Sequence, residues 1–369
     1  MALASDKQAN EENELMLALP KERGLYGGPY LHLFQDFWCP SFYFQGVINF
    51  QKHFLAKDND VFVASFPKSG TTWLKALTFV IVNHQRFSSF ENHPLLSSNP
   101  HELVSAPEFI LSHDLDDQIL SLSNMSEPRL FSTHIPFSSL PKTITESNCK
   151  IIYICRNPFD TFVSAWEFST KIKSVFSHAL TFEEAFEKYC NGISGFGPWW
   201  SHMLGYWNAS ITRPEKVLFL KYEDLKEDTL FHVKRMLEFL GSSVTREEEG
   251  TTVIENMINL CSFEKMKNLK VNQSGYMHNV AEKKNFFRKG KYRSTLQQLV
   301  GKVELVGKIE FVGKVENRTV VDCNSDEPAM VESNGDKTTR RTACGKKCDI
   351  EMIKKNEKSV MFATYIDTG

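Results

Sequence analysis

A cation, a glycine and three hydroxyl side chains stand together in Pro67-Lys68-Ser69-Gly70-Thr71-Thr72-Trp73. The segment follows the short apolar run from Asp60 to Phe66 and opens a helical stretch to about Val82. A strand, a turn and a helix in that order present the unpartnered N–H groups of a helix start to whatever sits above them. With the helix dipole, those groups form an anion site. Lys68 adds a point charge, and Ser69, Thr71 and Thr72 add donors. Gly70 lets the backbone approach closely, and Trp73 offers a face on which a base can stack. The motif is not the G-x-x-x-x-G-K-[ST] loop of ATP-driven kinases, because the lysine precedes the single glycine. No spaced acidic partner for Mg²⁺ follows, so no metal is expected at this site.

Further chemistry-bearing residues also stand at the ends of apolar runs. Arg156 follows Lys150-Ile-Ile-Tyr-Ile-Cys155 and begins Arg-Asn-Pro-Phe-Asp-Thr-Phe-Val-Ser164. Its planar fork suits a phosphate, and Ser164, about two helical turns on, can reach the same group. Taken alone, the pair reads equally well as a surface arginine and a helix serine. His134 closes Arg129-Leu-Phe-Ser132 and Thr133, just before Ile-Pro. A neutral imidazole with a pKa of about 6.5 can take a proton from an alcohol or a phenol, although a lone histidine is more often structural. Phe286-Phe-Arg288-Lys289-Gly290 sets two cations before a glycine. They can clamp a second phosphate or form a solvated basic turn.

The elements that must position these residues alternate between two periods. Lys150 to Cys155 is continuously apolar, as in a strand buried on both faces. Lys216-Val-Leu-Phe-Leu220 predicts another strand, leading to Tyr222-Glu-Asp. Thr181-Phe-Glu-Glu184 is a capping box that starts a helix. Helical periods return over 231–240 and 247–260. Strands alternating with helices predict an α/β fold, a single domain with a central parallel sheet flanked by helices and a P-loop-like nucleotide-binding architecture. Ligands in such sheets gather at the carboxyl ends of the strands.

Composition excludes several classes. Across 369 residues the net charge is −2, which gives no basic stripe for nucleic acid. The polar, acidic start lacks the pattern of a signal peptide, and no apolar run approaches the roughly 20 residues that span a bilayer. A cytoplasmic protein is expected. The 8 cysteines are scattered, several in apolar runs, as reduced buried thiols are. Phenylalanine, at 29 residues, either fills a large core or lines an apolar pocket for a flat ligand.

Lys68 to Trp73, His134, Arg156 to Ser164, Tyr222 in Lys-Tyr-Glu-Asp-Leu, Phe263 in Cys-Ser-Phe-Glu and Arg288-Lys-Gly together resemble the cytosolic sulfotransferases, in order and spacing. Asp36-Phe-Trp-Cys-Pro40, Lys188-Tyr-Cys-Asn-Gly192 and Gly205-Tyr-Trp207 are most similar to the plant soluble branch. The resemblance spans roughly residues 24–290. It implies transfer of a sulfuryl group from 3′-phosphoadenosine-5′-phosphosulfate (PAPS) to a hydroxyl of a small apolar acceptor. Flavonols, steroids such as brassinosteroids, hydroxyjasmonates and desulfoglucosinolates are family acceptors. By the same resemblance the loop Lys68, Ser69, Gly70, Thr71, Thr72 and Trp73 holds the 5′-phosphosulfate, with Trp73 against adenine. Arg156 and Ser164 hold the 3′-phosphate, Tyr222 and Phe263 border the adenine, and Arg288, Lys289 and Gly290 close on the 3′-phosphate. The catalytic set it implies is His134 as base and Lys68 on the leaving oxygen, with Ser164 beside them.

The chain departs from this pattern after Gly290. Where family members continue with Gly-Asp-Trp-Lys and a last helix, this chain has Lys-Tyr-Arg-Ser-Thr and three hexapeptide repeats, Leu299-Val-Gly-Lys-Val-Glu304, Leu305-Val-Gly-Lys-Ile-Glu310 and Phe311-Val-Gly-Lys-Val-Glu316. Cys261 stands where animal members carry a threonine. The expected organisation is a polar arm over 1–24, a sulfotransferase domain over 25–295 and a weakly ordered tail over 296–369. The missing C-terminal segment carries the family's dimer contact, so the oligomeric state stays open. An inactive relative that binds PAPS or the product nucleotide is the alternative reading.

Overall fold

The structure, a computed structural model, describes residues 14–25, 30–87, 89–112, 115–172, 180–242, 247–277, 281–288, 318–321, 348–355 and 358–364. Most of the N-terminal arm, the hexapeptide repeats, Lys289 and Gly290 lie outside the described residues. The chain divides into two units, residues 1–295 and 296–369. In the second, strands Arg318–Val321, Cys348–Lys355 and Lys358–Thr364 form an antiparallel sheet.

In the first unit an antiparallel sheet of β1 (Lys21–Arg23), β2 (Tyr30–Phe34) and β3 (Phe37–Pro40) precedes the main one. The main sheet contains β4 (Val61–Ser65), β5 (Leu130–Thr133), β6 (Lys150–Cys155) and β7 (Val217–Lys221), in the order β5-β4-β6-β7. Every pairing in it is parallel. Helices that cover it or border its edge are α1 (Phe44–His53), α2 (Thr71–Val82), α3 (Pro158–Ser169), α4 (Phe182–Cys190), α5 (Trp199–Thr212), α6 (Tyr222–Glu227), α7 (Thr229–Leu240), α8 (Glu247–Leu260) and α9 (Phe263–Asn268). The architecture is α/β with a central parallel sheet between helices, as the alternation of periods predicts.

Successive side chains of a strand point to opposite faces, and both faces of this sheet are covered. Val61, Val63, Ile152, Ile154, Leu218 and Leu220 pack with Leu74, Leu77 and Ile81 of α2 and with Val233 and Met236 of α7. The opposite face is aromatic. Phe62 and Phe131 meet Phe54 edge-on, and Tyr153 stacks on Tyr206 of α5 with ring centroids 4.3 Å apart. Burial on both sides explains why β4 and β6 read as unbroken apolar runs. The buried Arg129 guanidinium ties the strand starts together: its Nε donates to Asp60 Oδ1 at 2.7 Å and one Nη to Asp60 Oδ2 at 2.5 Å.

Helix starts follow their capping chemistry. The Thr181 side chain accepts from the Glu184 N–H, and the Glu184 carboxylate accepts from the Thr181 N–H. Asn157 caps α3 by accepting from Phe159 and Asp160, and Pro158 occupies the first helical position. Cys39, Cys149, Cys155, Cys190 and Cys261 are not in disulfides, and all but Cys190 are buried. Among the described residues, no helix is long and apolar enough to cross a membrane, and no group of three His, Cys, Asp or Glu side chains is placed to hold a metal ion.

Candidate active site

All four strands of the main sheet deliver a candidate residue at the carboxyl edge. Lys68 follows β4, His134 follows β5, Arg156 follows β6 and Tyr222 follows β7. Parallel register brings these ends to one side, so residues far apart in sequence line one cavity of about 480 Å³.

The turn after β4 is built to present donors. Lys68 has φ +70° and Gly70 φ +105°, both in the left-handed region. Gly70 is required twice over, because a Cβ there would also lie 2.6 Å from the Tyr222 ring. The Ser65 and Thr71 hydroxyls meet at 2.6 Å and tie the strand end to the first turn of α2. The Ser69 hydroxyl is fully buried with no protein partner. A buried hydroxyl left unpaired at a helix start fits an incoming ligand oxygen.

Cations crowd above this turn. The Lys68 ammonium lies 3.6 Å from the Phe168 ring centroid and 5.4 Å from that of Phe286. Burial and the positive charges of Arg156, Arg288 and Lys171 push its pKa down to about 7. The buried Arg156 rests on the Tyr222 ring at 4.8 Å and donates to the Lys68 carbonyl at 3.3 Å. Ser164, two turns into α3, and Arg288 line the same cavity. Mutually repelling cations held in one cleft suit a ligand with several negative charges.

Beside this cluster Trp73 meets Tyr222 edge-on at 5.8 Å, and Phe263 at the start of α9 lines the cavity with them. They form an aromatic wall on which a base can rest. The other end is apolar, with Pro40, Tyr43, Phe109, Ile172 and Phe196 among its lining residues. Part of the phenylalanine load therefore does line a pocket, and part packs against the sheet.

His134 sits between the two ends. Its Nδ1 lies 2.7 Å from the Ser65 carbonyl oxygen. A carbonyl only accepts, so Nδ1 carries the proton and Nε2 holds the free lone pair. Burial, with lesser contributions from Lys75 and Lys68, lowers the His134 pKa to about 4. The ring is therefore neutral at physiological pH. Its backbone N–H donates to Glu108 Oε1 at 3.0 Å, and its carbonyl accepts from His202 Nε2 at 2.9 Å. His202 Nδ1 in turn accepts from the Tyr153 hydroxyl at 3.0 Å. His134 is thus held at its backbone as well as at its ring.

The sequence reading missed Lys75, His101 and Glu108. Lys75 lies one turn from Thr72 on α2, and that spacing was a usable signal. Asn99-Pro-His-Glu102 carries a capping box that marks the helix bearing His101. Glu108 had no local signal, since its partners are Thr133 and His134 in another element.

The Sulfotransferase domain family model matches residues 58–303. The chain belongs to the sulfotransferase family, and its main parallel sheet, the Lys68–Trp73 turn, His134 and Arg156 lie within the matched region. Cytosolic sulfotransferase 15 of Arabidopsis thaliana is 49% identical over 283 residues, covering 76% of this chain and 78% of that relative. Flavonol 4′-sulfotransferase of Flaveria chlorifolia is 44% identical over 282 residues, covering 75% of this chain and 86% of the relative. The crystal structure of an Arabidopsis thaliana sulphotransferase, 41% identical, superposes with a TM-score of 0.60 and covers 71% of this chain and 88% of its own.

Proposed function

We propose that the protein transfers a sulfuryl group from PAPS to a hydroxyl of a small apolar acceptor, in the cytosol, with His134 as the base. The observation that carries this reading is the pairing of a neutral, tautomer-fixed imidazole with a cluster of cations across one cavity. The family membership sets the reaction class, and the names of the plant relatives agree with the compartment. The roles of individual residues rest on the arrangement in this chain.

The donor nucleotide runs along the cation cluster. The Lys68–Thr72 turn takes the 5′-phosphosulfate, with the Ser69 hydroxyl and the first N–H groups of α2 as donors. Arg156, Ser164 and Arg288 take the 3′-phosphate, together with Lys289 and Gly290. Trp73, Tyr222 and Phe263 border the adenine. The acceptor lies in the apolar end among Pro40, Tyr43, Phe109 and Phe196, with its hydroxyl toward His134.

In the transfer the acceptor oxygen forms a bond to sulfur as the bond from sulfur to the bridging phosphate oxygen breaks. His134 Nε2 receives the acceptor proton. Negative charge grows on the bridging oxygen, where Lys68 and the α2 start neutralise it. The imidazole is a weak base mainly because it is buried, and Lys75 and Lys68 add to this. The negative charge of the bound donor opposes their effect and raises its proton affinity. Holding both reactants in line removes much of the entropic barrier.

Calorimetry with adenosine 3′,5′-bisphosphate tests the reading. Micromolar or tighter binding to the full chain supports it. No binding by a folded sample would refute it, and binding without turnover on any hydroxyl acceptor would identify an inactive relative.

A further inference from the structure

Lys75 is a cation that the proposed reaction does not use. It is only 4% exposed and lies on α2 one turn from the buried Thr71 and Thr78. Its ammonium donates to the Val104 carbonyl at 2.8 Å and lies 3.1 Å from His101 Nδ1. In its protonated form Lys75 has no lone pair to offer, so Nδ1 then accepts. The His101 proton is thereby confined to Nε2, which lies 2.9 Å from the Thr72 hydroxyl oxygen. That oxygen accepts from the ring and keeps its own proton. Thr72 lines the cavity beside Lys68 and Gly70.

We propose that Lys75, His101 and Thr72 form a one-way hydrogen-bond relay that fixes the Thr72 hydroxyl as a donor to the 5′-phosphate of the nucleotide. The relay rests on the reading of the Lys68–Trp73 loop as the 5′-phosphosulfate site. Without Lys75, His101 is free to take the other tautomer, and the Thr72 hydroxyl then donates to the ring instead of to the ligand. Lys75 and His101 line the cavity with Thr72, and in this proposal Lys75 is a positioning residue that acts on Thr72 through His101. Burial lowers the Lys75 pKa to about 7, and the charge of Glu108 opposes that shift. The His101 ring packs on Phe286, with centroids 4.6 Å apart, so the relay borders the segment that carries Arg288.

The probes that separate positioning from general structure are adenosine 3′,5′-bisphosphate and adenosine 3′-monophosphate, which lacks the 5′-phosphate. Lys75→Met is expected to weaken the bisphosphate about tenfold, the scale of one phosphate hydrogen bond, and to leave the monophosphate unchanged. Thr72→Val should do the same, and Lys75→Met in that background should add little, since both act on one path. Equal weakening of both nucleotides by Lys75→Met, or additive losses in the double variant, would overturn the relay. If Lys75→Met fails to fold, His101→Phe, whose ring neither donates nor accepts, carries the same test. Failure of the unaltered chain to bind the bisphosphate would instead overturn the sulfotransferase reading itself.

Discussion

The imidazole Nδ1 of His134 lies 2.7 Å from the backbone carbonyl of Ser65, so strand β4, which leads into the anion-binding turn, also sets the tautomer of the proposed base. Ser65 and Lys68 are separated by two residues, so one short stretch of backbone positions both the proposed base and the cation proposed to balance the leaving oxygen. His134→Ala is expected to lower kcat by about 10² to 10⁴, the usual contribution of a positioned base. The affinity for adenosine 3′,5′-bisphosphate should stay within about twofold, because the ring contributes no charge to the nucleotide site. Steady-state kinetics with calorimetry checks both halves, and a parallel loss of binding would remove His134 from its assigned place.

Lys68 supplies a proton-linked signature. Its pKa is pushed down to about 7 by burial and by Arg156, Arg288 and Lys171. Binding a multiply charged anion restores the protonated form, so the complex takes up a proton above that pH. At pH 8 calorimetry in buffers of different ionisation enthalpy should show net uptake, and the Lys68→Met variant should lose most of it. A binding enthalpy independent of buffer would contradict this.

Gly70 is held at φ +105° with the Tyr222 ring where its Cβ would be. Gly70→Ala is expected to introduce strain of about 1–3 kcal/mol and to displace Tyr222 from Arg156. Nucleotide affinity should fall by about tenfold or more, with little change in the helical circular dichroism signal. Unchanged affinity would show that the turn relaxes without loss of the site.

Much of this arrangement was legible because the signals are local. Ile151 to Ile154 read as a doubly buried strand and are fully buried. The Pro-Lys-Ser-Gly-Thr-Thr sequence read as an anion site, whereas the left-handed conformation of Lys68 in its turn was not legible. The proton on His134 Nδ1 was not legible, since it depends on a carbonyl 69 residues away. Glu108 was missed for the same reason. Buried polar groups are specified by partners in other elements, and those partners are known only once the sheet has brought them together.

Folding stability should depend on pH through buried neutral histidines. His93 and His134 are held down at about 4 and His202 at about 3, mainly by burial. The unfolded chain protonates near 6.5, so between about 4 and 6.5 it binds more protons than the folded one. Stability therefore falls as pH drops through that window and is unaffected by these groups above it. Urea midpoints should be lower at pH 5 than at pH 7, and His202→Gln should reduce the difference. Equal midpoints would contradict the burial argument.

Arg129 offers a control remote from chemistry. Its two bonds to Asp60 join β4 and β5 at the opposite edge of the sheet from the site. Arg129→Ala strands a buried carboxylate and is expected to cost about 3–5 kcal/mol, lowering Tm by about 6–20 °C. Nucleotide affinity at low temperature should be retained.

The central claim is acceptor-dependent sulfuryl transfer from PAPS with His134 as base. Its most direct test is release of adenosine 3′,5′-bisphosphate from PAPS by the full chain, with and without a panel of small phenols and apolar alcohols. The account predicts release that requires an acceptor, forms the sulfated product in equal amount and disappears in His134→Ala. No acceptor-dependent release from a chain that binds the nucleotide, or release that survives His134→Ala, would contradict it.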